Sequence, residues 1–170
     1  TAINLFFRNM PRLSVDIDLA YLPFDDRKTA LTNISDSLGK IRERLKKSIP
    51  GITVNNHTIE GNDVKLLVQS QNAQIKIEVN TITRGHLYPL QFLQVNEAVQ
   101  EEFKKFAAIQ VVSTAELYGG KICAALDRQH PGNLFDVYLL FEPFLQLPAK
   151  DLTSMNLRIR YGDLSMKIQF

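Results

Sequence analysis

Two aspartates separated by a single residue carry the clearest chemical signal in the chain. Residues 13–22, LSVDIDLAYL, alternate apolar and polar side chains, which predicts a β-strand with Asp16 and Asp18 on the same face. On a strand the two carboxylates lie about 6–7 Å apart and repel each other. Because aspartate is also depleted in strands, the pair is unfavourable unless a positive group lies between the side chains. Mg²⁺ is the simplest such group, since it binds carboxylate oxygens together with the phosphate oxygens of a substrate.

A third acid lies on another strand-like segment. Residues 74–80, QIKIEVN, alternate isoleucine and valine with Lys76, Glu78 and Asn80. If this strand pairs beside the first, Glu78 completes a three-carboxylate site, at which two metal ions can promote an in-line displacement at phosphorus. Two simpler interpretations stay open. Glu78 can be a surface residue beside Lys76, and the aspartate strand can be an edge strand with a solvated polar face.

Regular elements surround these acids in the first half of the chain. Apolar residues at helical spacing predict a short helix over residues 1–10, ended by Pro11, and a long helix from Asp25 or Asp26 to Pro50. Alternating segments separated by turn residues predict a meander of three strands, near residues 52–60, 63–70 and 74–83.

The second half is predicted to be mostly helical. Asn96 opens a short helix through Phe106, and residues 109–112 form a short β-branched run. The capping-box spacing of Ser113 and Glu116 opens a helix to about Arg128, and Pro131 begins another. Residues 156–170 fit either strand or frayed helix. The pattern predicts an α+β fold, a mixed β-sheet layered with helices over residues 1–112, followed by a helical C-terminal part over residues 113–170.

Charged residues on the predicted C-terminal helices are further candidates. Lys121 shares one side of its helix with Arg128, and a lysine there can place a point charge on a triphosphate, although a solvated helix lysine is the simpler interpretation. Asn133 and Asp136 form a polar face on the next helix. Asp136 can pair with Lys121 or Arg128, orient a substrate, or only lie at the surface.

The composition limits the class of protein. The chain has 170 residues, 45% of them hydrophobic, and a formal net charge of +2, so it can bury a core and has no global attraction to nucleic acid. Cys123 is the only cysteine, which excludes an internal disulfide framework and cysteine-rich metal sites. No apolar run approaches the roughly 20 residues of a membrane span, so we expect a cytoplasmic protein without membrane contact. The start at Thr1 leads us to expect residues upstream.

Five segments taken together resemble the AbiEii/AbiGii-type nucleotidyltransferase toxin family. They are, in chain order, TAINLFF, RLSVDIDL, IKIEVN, AELYGGKICAALDRQ and NLFDVYLLFE, and the DIDL of residues 16–19 is the most specific. Members look like minimal DNA-polymerase-β-type nucleotidyltransferases. The resemblance implies a nucleotidyltransferase-like sheet and transfer of a nucleoside monophosphate from an NTP to RNA, such as the 3′ end of tRNA. It also implies a bacterial toxin–antitoxin or phage-defence system and a cognate antitoxin partner.

The resemblance assigns roles to individual residues. Asp16 and Asp18 would be catalytic and would hold Mg²⁺, with Glu78 as a third metal ligand. Lys121 would contact the nucleotide phosphates, and Asp136 would be the acid of the helical motif. The other residues implied to bind the nucleotide are Thr1, Ser14 and Arg128.

Two departures from the family pattern keep alternative functions open. The family has a Gly-Gly or Gly-Ser pair just before the helix that begins with Thr1-Ala2, where backbone N–H groups would bind phosphate, and this chain starts one residue too late to include it. Gly132-Asn133 stands where the family usually has Arg-Asp. The loss of that charge pair favours a catalytically impaired nucleotide- or antitoxin-binding module. A metal-dependent nuclease that uses the same acids with water as the nucleophile is the third hypothesis.

Overall fold

A four-stranded sheet and a long helix packed against it form the part of the fold that carries the acids. The computed structural model describes residues 2–10, 16–145, 156–161 and 164–169. The helices are a π-helix at Ile3–Phe7, α1 Arg27–Ser48, α2 Glu97–Phe103, α3 Thr114–Arg128 and α4 Pro131–Leu145. The strands are β1 Asp16–Tyr21, β2 Thr53–Ile59, β3 Asn62–Gln69, β4 Gln74–Arg84, β5 Gln91–Gln94, β6 Ala108–Val111, β7 Asn156–Tyr161 and β8 Leu164–Gln169. The predicted α+β class is confirmed.

The chain divides into two compact units. The first comprises Thr1–His86 with Gln94–Ala107, and the second comprises Leu87–Leu93 with Ala108–Phe170. The first unit contains the four-stranded sheet, in the order β1-β4-β3-β2, together with the π-helix, α1 and α2. The second contains α3, α4 and the strand pairs β5-β6 and β7-β8. In the described part of the chain, every helix is too short or too polar to cross a membrane.

Strand pairing in the first unit places the aspartate strand beside the strand that carries the third acid. β3 pairs antiparallel with both β2 and β4, so the predicted meander of three strands is confirmed. β1 pairs parallel with β4, at the edge of the sheet. A parallel pair needs a crossover connection, and here α1, β2 and β3 lie between the two strands in the sequence. This pairing meets the condition for a site shared by Asp16, Asp18 and Glu78.

The core of the first unit decides which way the strands face. Apolar residues of α1 pack against one face of the sheet, and the buried cluster consists of Ile34, Leu38, Val54, Leu66, Ile77 and Val79. Side chains alternate along a strand, so burying Ile77 and Val79 against α1 turns Lys76 and Glu78 to the opposite face. Leu19 and Tyr21 of β1 also pack against the cluster, which leaves Asp16 and Asp18 on the face away from α1.

An aspartate caps the helix that holds this core together. The sequence allowed Asp25 or Asp26 as the cap of α1, and the structure shows that it is Asp26. Its Oδ1 accepts hydrogen bonds from the backbone N–H of Lys28 at 2.9 Å and of Thr29 at 3.1 Å. These bonds satisfy donors that have no partner inside the first turn of a helix. The Asp25 carboxylate instead accepts a hydrogen bond from the Tyr21 hydroxyl.

Replacing Asp26 by Ala is expected to lower the melting temperature at pH 7 by about 2–4 °C, because the N-cap bonds of α1 are lost. The hydrogen bonds from Thr29 and Lys28 hold the pKa of Asp26 below its ordinary value of 3.8. A lowered pKa stabilises the folded state above that ordinary value, and the stabilisation disappears as pH falls through the folded pKa. Melting curves of both proteins from pH 7 to pH 3 test this. A difference that stays equal over the range would contradict the assignment.

Several boundaries differ from those predicted, each for a local reason. The first helix ends at Phe7 rather than near Pro11, since the Arg8 N–H closes it on Ile3 and Met10 has a left-handed φ of 46°. α2 ends at Phe103 rather than at the expected Phe106, because the backbone of the next residue, Lys104, has a left-handed conformation. Strand β5 was not predicted, because four residues are too few to show an alternating pattern. Of the two alternatives for residues 156–170, strand is the one seen in the described stretches.

Candidate active site

Three carboxylates lie on adjacent strands of the first unit. In the parallel register of β1 and β4, Asp18 is opposite Glu78 and Asp16 is opposite Lys76. All four side chains lie on the face of the sheet away from α1, and we call Asp16, Asp18 and Glu78 together the acidic face. Alternation along residues 13–22 predicts the first two residues, and the register adds Glu78. The strand pairing on which the conditional placement of Glu78 depends is therefore present, whereas the roles of the three acids stay predictions.

A lysine ammonium lies between two of the three acids. Lys76 Nζ is 3.1 Å from Asp16 Oδ2 and 3.2 Å from Glu78 Oε2. A second lysine, Lys65 on β3, faces Glu78 in the antiparallel register, and its Nζ is 3.2 Å from the same Oε2. The Lys76–Glu78 pair is the surface interaction considered for this segment, but here it forms part of a larger charge cluster. Between Asp16 and Glu78, the positive group is thus a side chain of the protein itself, whereas Asp18 has no such contact among the described residues.

The pKa shifts of this cluster follow from its ion pairs. The pKa of Lys76 is raised, chiefly because Asp16 accepts a hydrogen bond from its ammonium, and Glu78 acts in the same direction. For Glu78, burial is the largest single influence and raises the pKa, but hydrogen bonds from Lys76 and Lys65 outweigh burial and leave the pKa lowered. Both residues are consequently held in their charged forms at neutral pH.

The acidic face has more negative than positive charge, and Asp18 accounts for the difference. Three carboxylates face two ammonium groups, and within the described residues Asp18 has neither an ion pair nor a hydrogen-bond partner of its side chain. Asp18 is also exposed and lies directly opposite Glu78, where two like charges destabilise each other. A carboxylate in this position is available to a cation from solution.

The acidic face fits Mg²⁺ in the chemical type of its ligands. Carboxylate oxygens are the hard donors that this ion prefers, and two or three of them with water or phosphate suffice to hold it. In the arrangement described, however, the Lys76 ammonium pairs with both Asp16 and Glu78 and lies where an ion between them would bind. Among the described residues, no group of three or more acidic, histidine or cysteine side chains is arranged to hold a metal ion. Asp16, Asp18 and Glu78 are the residues that would hold the ion once the lysine moves aside.

A second charged group lies within the other unit, between α3 and α4. Lys121 Nζ is 3.1 Å from Asp136 Oδ2 and donates a hydrogen bond to Asn133 Oδ1 at 3.3 Å. The Asp136 side chain is only 2% exposed, so this is a largely buried ion pair. Of the alternatives for Asp136, pairing with Lys121 is the one observed. Arg128, at the end of α3, is exposed and lies 3.7 Å from the equally exposed Asp127.

The other predicted residues are Thr1, Ser14 and the cap of α3. Thr1 and Ser14, expected to bind nucleotide, lie outside the described residues. The cap expected at the start of α3 is confirmed, since Ser113 Oγ accepts a hydrogen bond from the Glu116 N–H. The structure thus groups Asp16 with Asp18 and Glu78 in one unit, and Lys121 with Asp136 in the other.

Sequence comparison decides the family. A family profile described as the nucleotidyl transferase AbiEii toxin of a type IV toxin–antitoxin system matches residues 1–161. The chain belongs to the AbiEii family. A search of the curated proteins and a search of the solved structures each give no match. Membership confirms the resemblance found in the sequence and identifies a nucleotidyl transferase toxin, with a nucleotide as substrate and an antitoxin as partner.

Sequence reasoning missed the two lysines that pair with the acidic face of this AbiEii protein. Lys76 was recognised only as a neighbour of Glu78, although its position on the polar face of β4 was visible from the alternation of residues 74–80. Its contact with Asp16 depends on the register of β1 and β4, which local periodicity does not specify. Lys65 had no signal in the sequence, because only the β3–β4 register places it opposite Glu78.

Proposed function

We propose that this AbiEii protein transfers a nucleoside monophosphate from an NTP to RNA, with the 3′ end of tRNA as acceptor, in a reaction that requires Mg²⁺. The proposal is supported chiefly by one observation. Asp16 and Asp18 project from one face of β1 with Glu78 directly beside them, in a member of a nucleotidyl transferase family. Two or three carboxylates on fixed strands suit a reaction in which negatively charged phosphates must be held and oriented.

The chain contributes mainly positioning and charge. Bound Mg²⁺ would neutralise the phosphates and increase the acidity of the attacking hydroxyl. Asp16 and Asp18 would hold the ions, and Glu78 is proposed as the third ligand. Since β1 and β4 hold the backbones of these residues side by side in the sheet, the reaction requires no rearrangement of the strands. We expect a direct displacement at phosphorus without a covalent protein intermediate. Lys121, with its charge, is the residue proposed to contact the nucleotide phosphates.

Labelled nucleotides test the proposal directly. The protein is incubated with each α-labelled NTP in turn, Mg²⁺ and total cellular RNA, and the products are resolved on a denaturing gel. We expect label in RNA of tRNA length with at least one nucleotide, and none when EDTA replaces Mg²⁺. Shortening of RNA without any NTP would instead support the nuclease hypothesis.

A non-catalytic nucleotide- or antitoxin-binding module is the second candidate, and one observation favours it. Asn133 stands where the family pattern has an aspartate, and it accepts a hydrogen bond from Lys121, whose ammonium also pairs with Asp136. A lysine engaged in this way has less freedom to bind phosphate. Equilibrium dialysis with labelled NTP separates the candidates. Tight binding with no transfer to any RNA supports the module and contradicts the transferase.

A further inference from the structure

Lys76 lies on the same strand as Glu78, and its ammonium bridges the carboxylates of Glu78 and Asp16. Its ammonium lies 3.1 Å from Asp16 Oδ2 and 3.2 Å from Glu78 Oε2, the carboxylates proposed to bind Mg²⁺. We infer that Lys76 is a positioning residue that takes the place of the metal. It holds the acidic face together in the metal-free protein, and a divalent cation must displace it in order to bind. This inference rests on the proposed function, because it concerns the same site.

Electrostatics supports such an exchange of cations. Without Lys76, Asp16 and Glu78 would face each other's charge across adjacent strands, with Asp18 adding a third carboxylate. With both lysines in place, the described side chains of the cluster carry one excess negative charge. Exchange of the Lys76 ammonium for a divalent ion brings the net charge of the cluster to zero. Either the ammonium or the divalent ion can therefore hold the acids, and the two cations cannot occupy the site at the same time.

The contacts of Lys76 are also weak enough to be broken. Its side chain is 32% exposed, and ion pairs at such partly solvated positions contribute little each. A lysine has a flexible four-carbon stem, so the ammonium can move into solvent without a change in the backbone. Lys65 still pairs with Glu78 after this movement, since its contact at 3.2 Å is independent of Lys76.

Metal titration of variants tests the inference without any enzymatic readout. Mg²⁺ and, separately, Mn²⁺ are titrated calorimetrically into nucleotide-free protein. Lys76→Met is expected to bind both ions about 5- to 30-fold more tightly than the wild type, since no ammonium has to be displaced. Lys76→Arg keeps the charge and should bind like the wild type. Lys65→Met is the matched control: it removes one ammonium from the same Glu78 oxygen but leaves Asp16 paired, so a clearly smaller gain is expected.

Thermal melting gives a second measurement. In EDTA, Lys76→Met should melt below the wild type, because the acids then repel each other, and added Mg²⁺ should reverse most of the difference. Adding Asp16→Asn to Lys76→Met should remove the gain in metal affinity.

Affinity of Lys76→Met that is equal to or weaker than that of the wild type would overturn the inference. If the wild type binds Mg²⁺ and transfers nucleotide in that case, the proposed function stands and only the role of Lys76 is refuted. Failure of every variant and of the wild type to bind either ion would overturn the inference, whereas the metal-dependent reaction is overturned only if labelling of RNA persists when EDTA replaces Mg²⁺.

Discussion

Replacing Asp18 by Asn is expected to reduce nucleotide transfer to RNA at least about a hundredfold, while the protein stays folded. Asp18 is the carboxylate of the acidic face with no side-chain partner among the described residues, so none of those residues compensates its charge. Asparagine keeps the shape and one carbonyl oxygen but loses the negative charge that would bind a metal ion. The measurement is the initial rate of label incorporation from the NTP that the wild type uses.

The fold should not suffer, and this makes the result interpretable. Asp18 faces Glu78 across β1 and β4, so the substitution removes a repulsion and breaks no hydrogen bond in the described structure. The melting temperature in EDTA should therefore equal or slightly exceed that of the wild type. Asp36→Asn is the matched control, since Asp36 is an exposed carboxylate on α1, on the opposite side of the sheet. Undiminished transfer by Asp18→Asn, or an equal loss in Asp36→Asn, would refute the role of the acidic face.

The faces of the strands could be predicted from the sequence because alternation is a local property. A strand has a side-chain period of two, so the pattern of residues 13–22 alone puts Asp16 and Asp18 together. The same holds for Glu78 on β4. Likewise a cap depends only on a polar side chain next to a helix start: Ser113 is the cap that was expected, and Asp26 is one of the two residues that the sequence allowed.

Pairing between distant strands could not be predicted in this way. β1 and β4 are separated by α1, β2 and β3, and nothing in either strand specifies parallel pairing or its register. A shift by one residue would remove Glu78 from its place beside Asp18 and separate Lys76 from Asp16. For this reason Glu78 was only a conditional prediction as the third acid. The contact of Lys76 with both Asp16 and Glu78 follows only from the register of β1 and β4.

Helix ends were predicted less well than helix starts. A start is specified by a capping side chain, whereas a hydrophobic stripe can continue past the last helical residue. Phe106 continues the apolar spacing of α2, yet the backbone leaves the helix at Lys104 with a φ of 49°. The choice between pairing and exposure for Asp136 was equally open, since helical spacing gives the face of a residue but not the neighbouring helix.

Lys121→Met is expected to destabilise the folded protein by about 2–4 kcal/mol, because it removes the ammonium from a carboxylate that is almost completely buried. Asp136 is 2% exposed, and a buried charge that loses its ion-pair partner is poorly solvated. The lysine side chain is itself 23% exposed, so water can replace part of the interaction and the lower half of this range is the better expectation. Urea unfolding followed by circular dichroism at pH 7 measures the change.

A second substitution distinguishes loss of the ion pair from loss of packing. Adding Asp136→Asn to Lys121→Met removes the buried charge, so the double variant should be more stable than Lys121→Met alone. Arg128→Met is the control on the same helix: its ion pair is exposed and long, and a change within about 0.5 kcal/mol is expected.

If Lys121→Met unfolds like the wild type, Lys121 does not support the fold through Asp136, and any loss of transfer in that variant then reports on contact with the nucleotide alone. If it is destabilised as expected, its activity must be compared with that of Lys121→Arg, which keeps the positive charge beside Asp136.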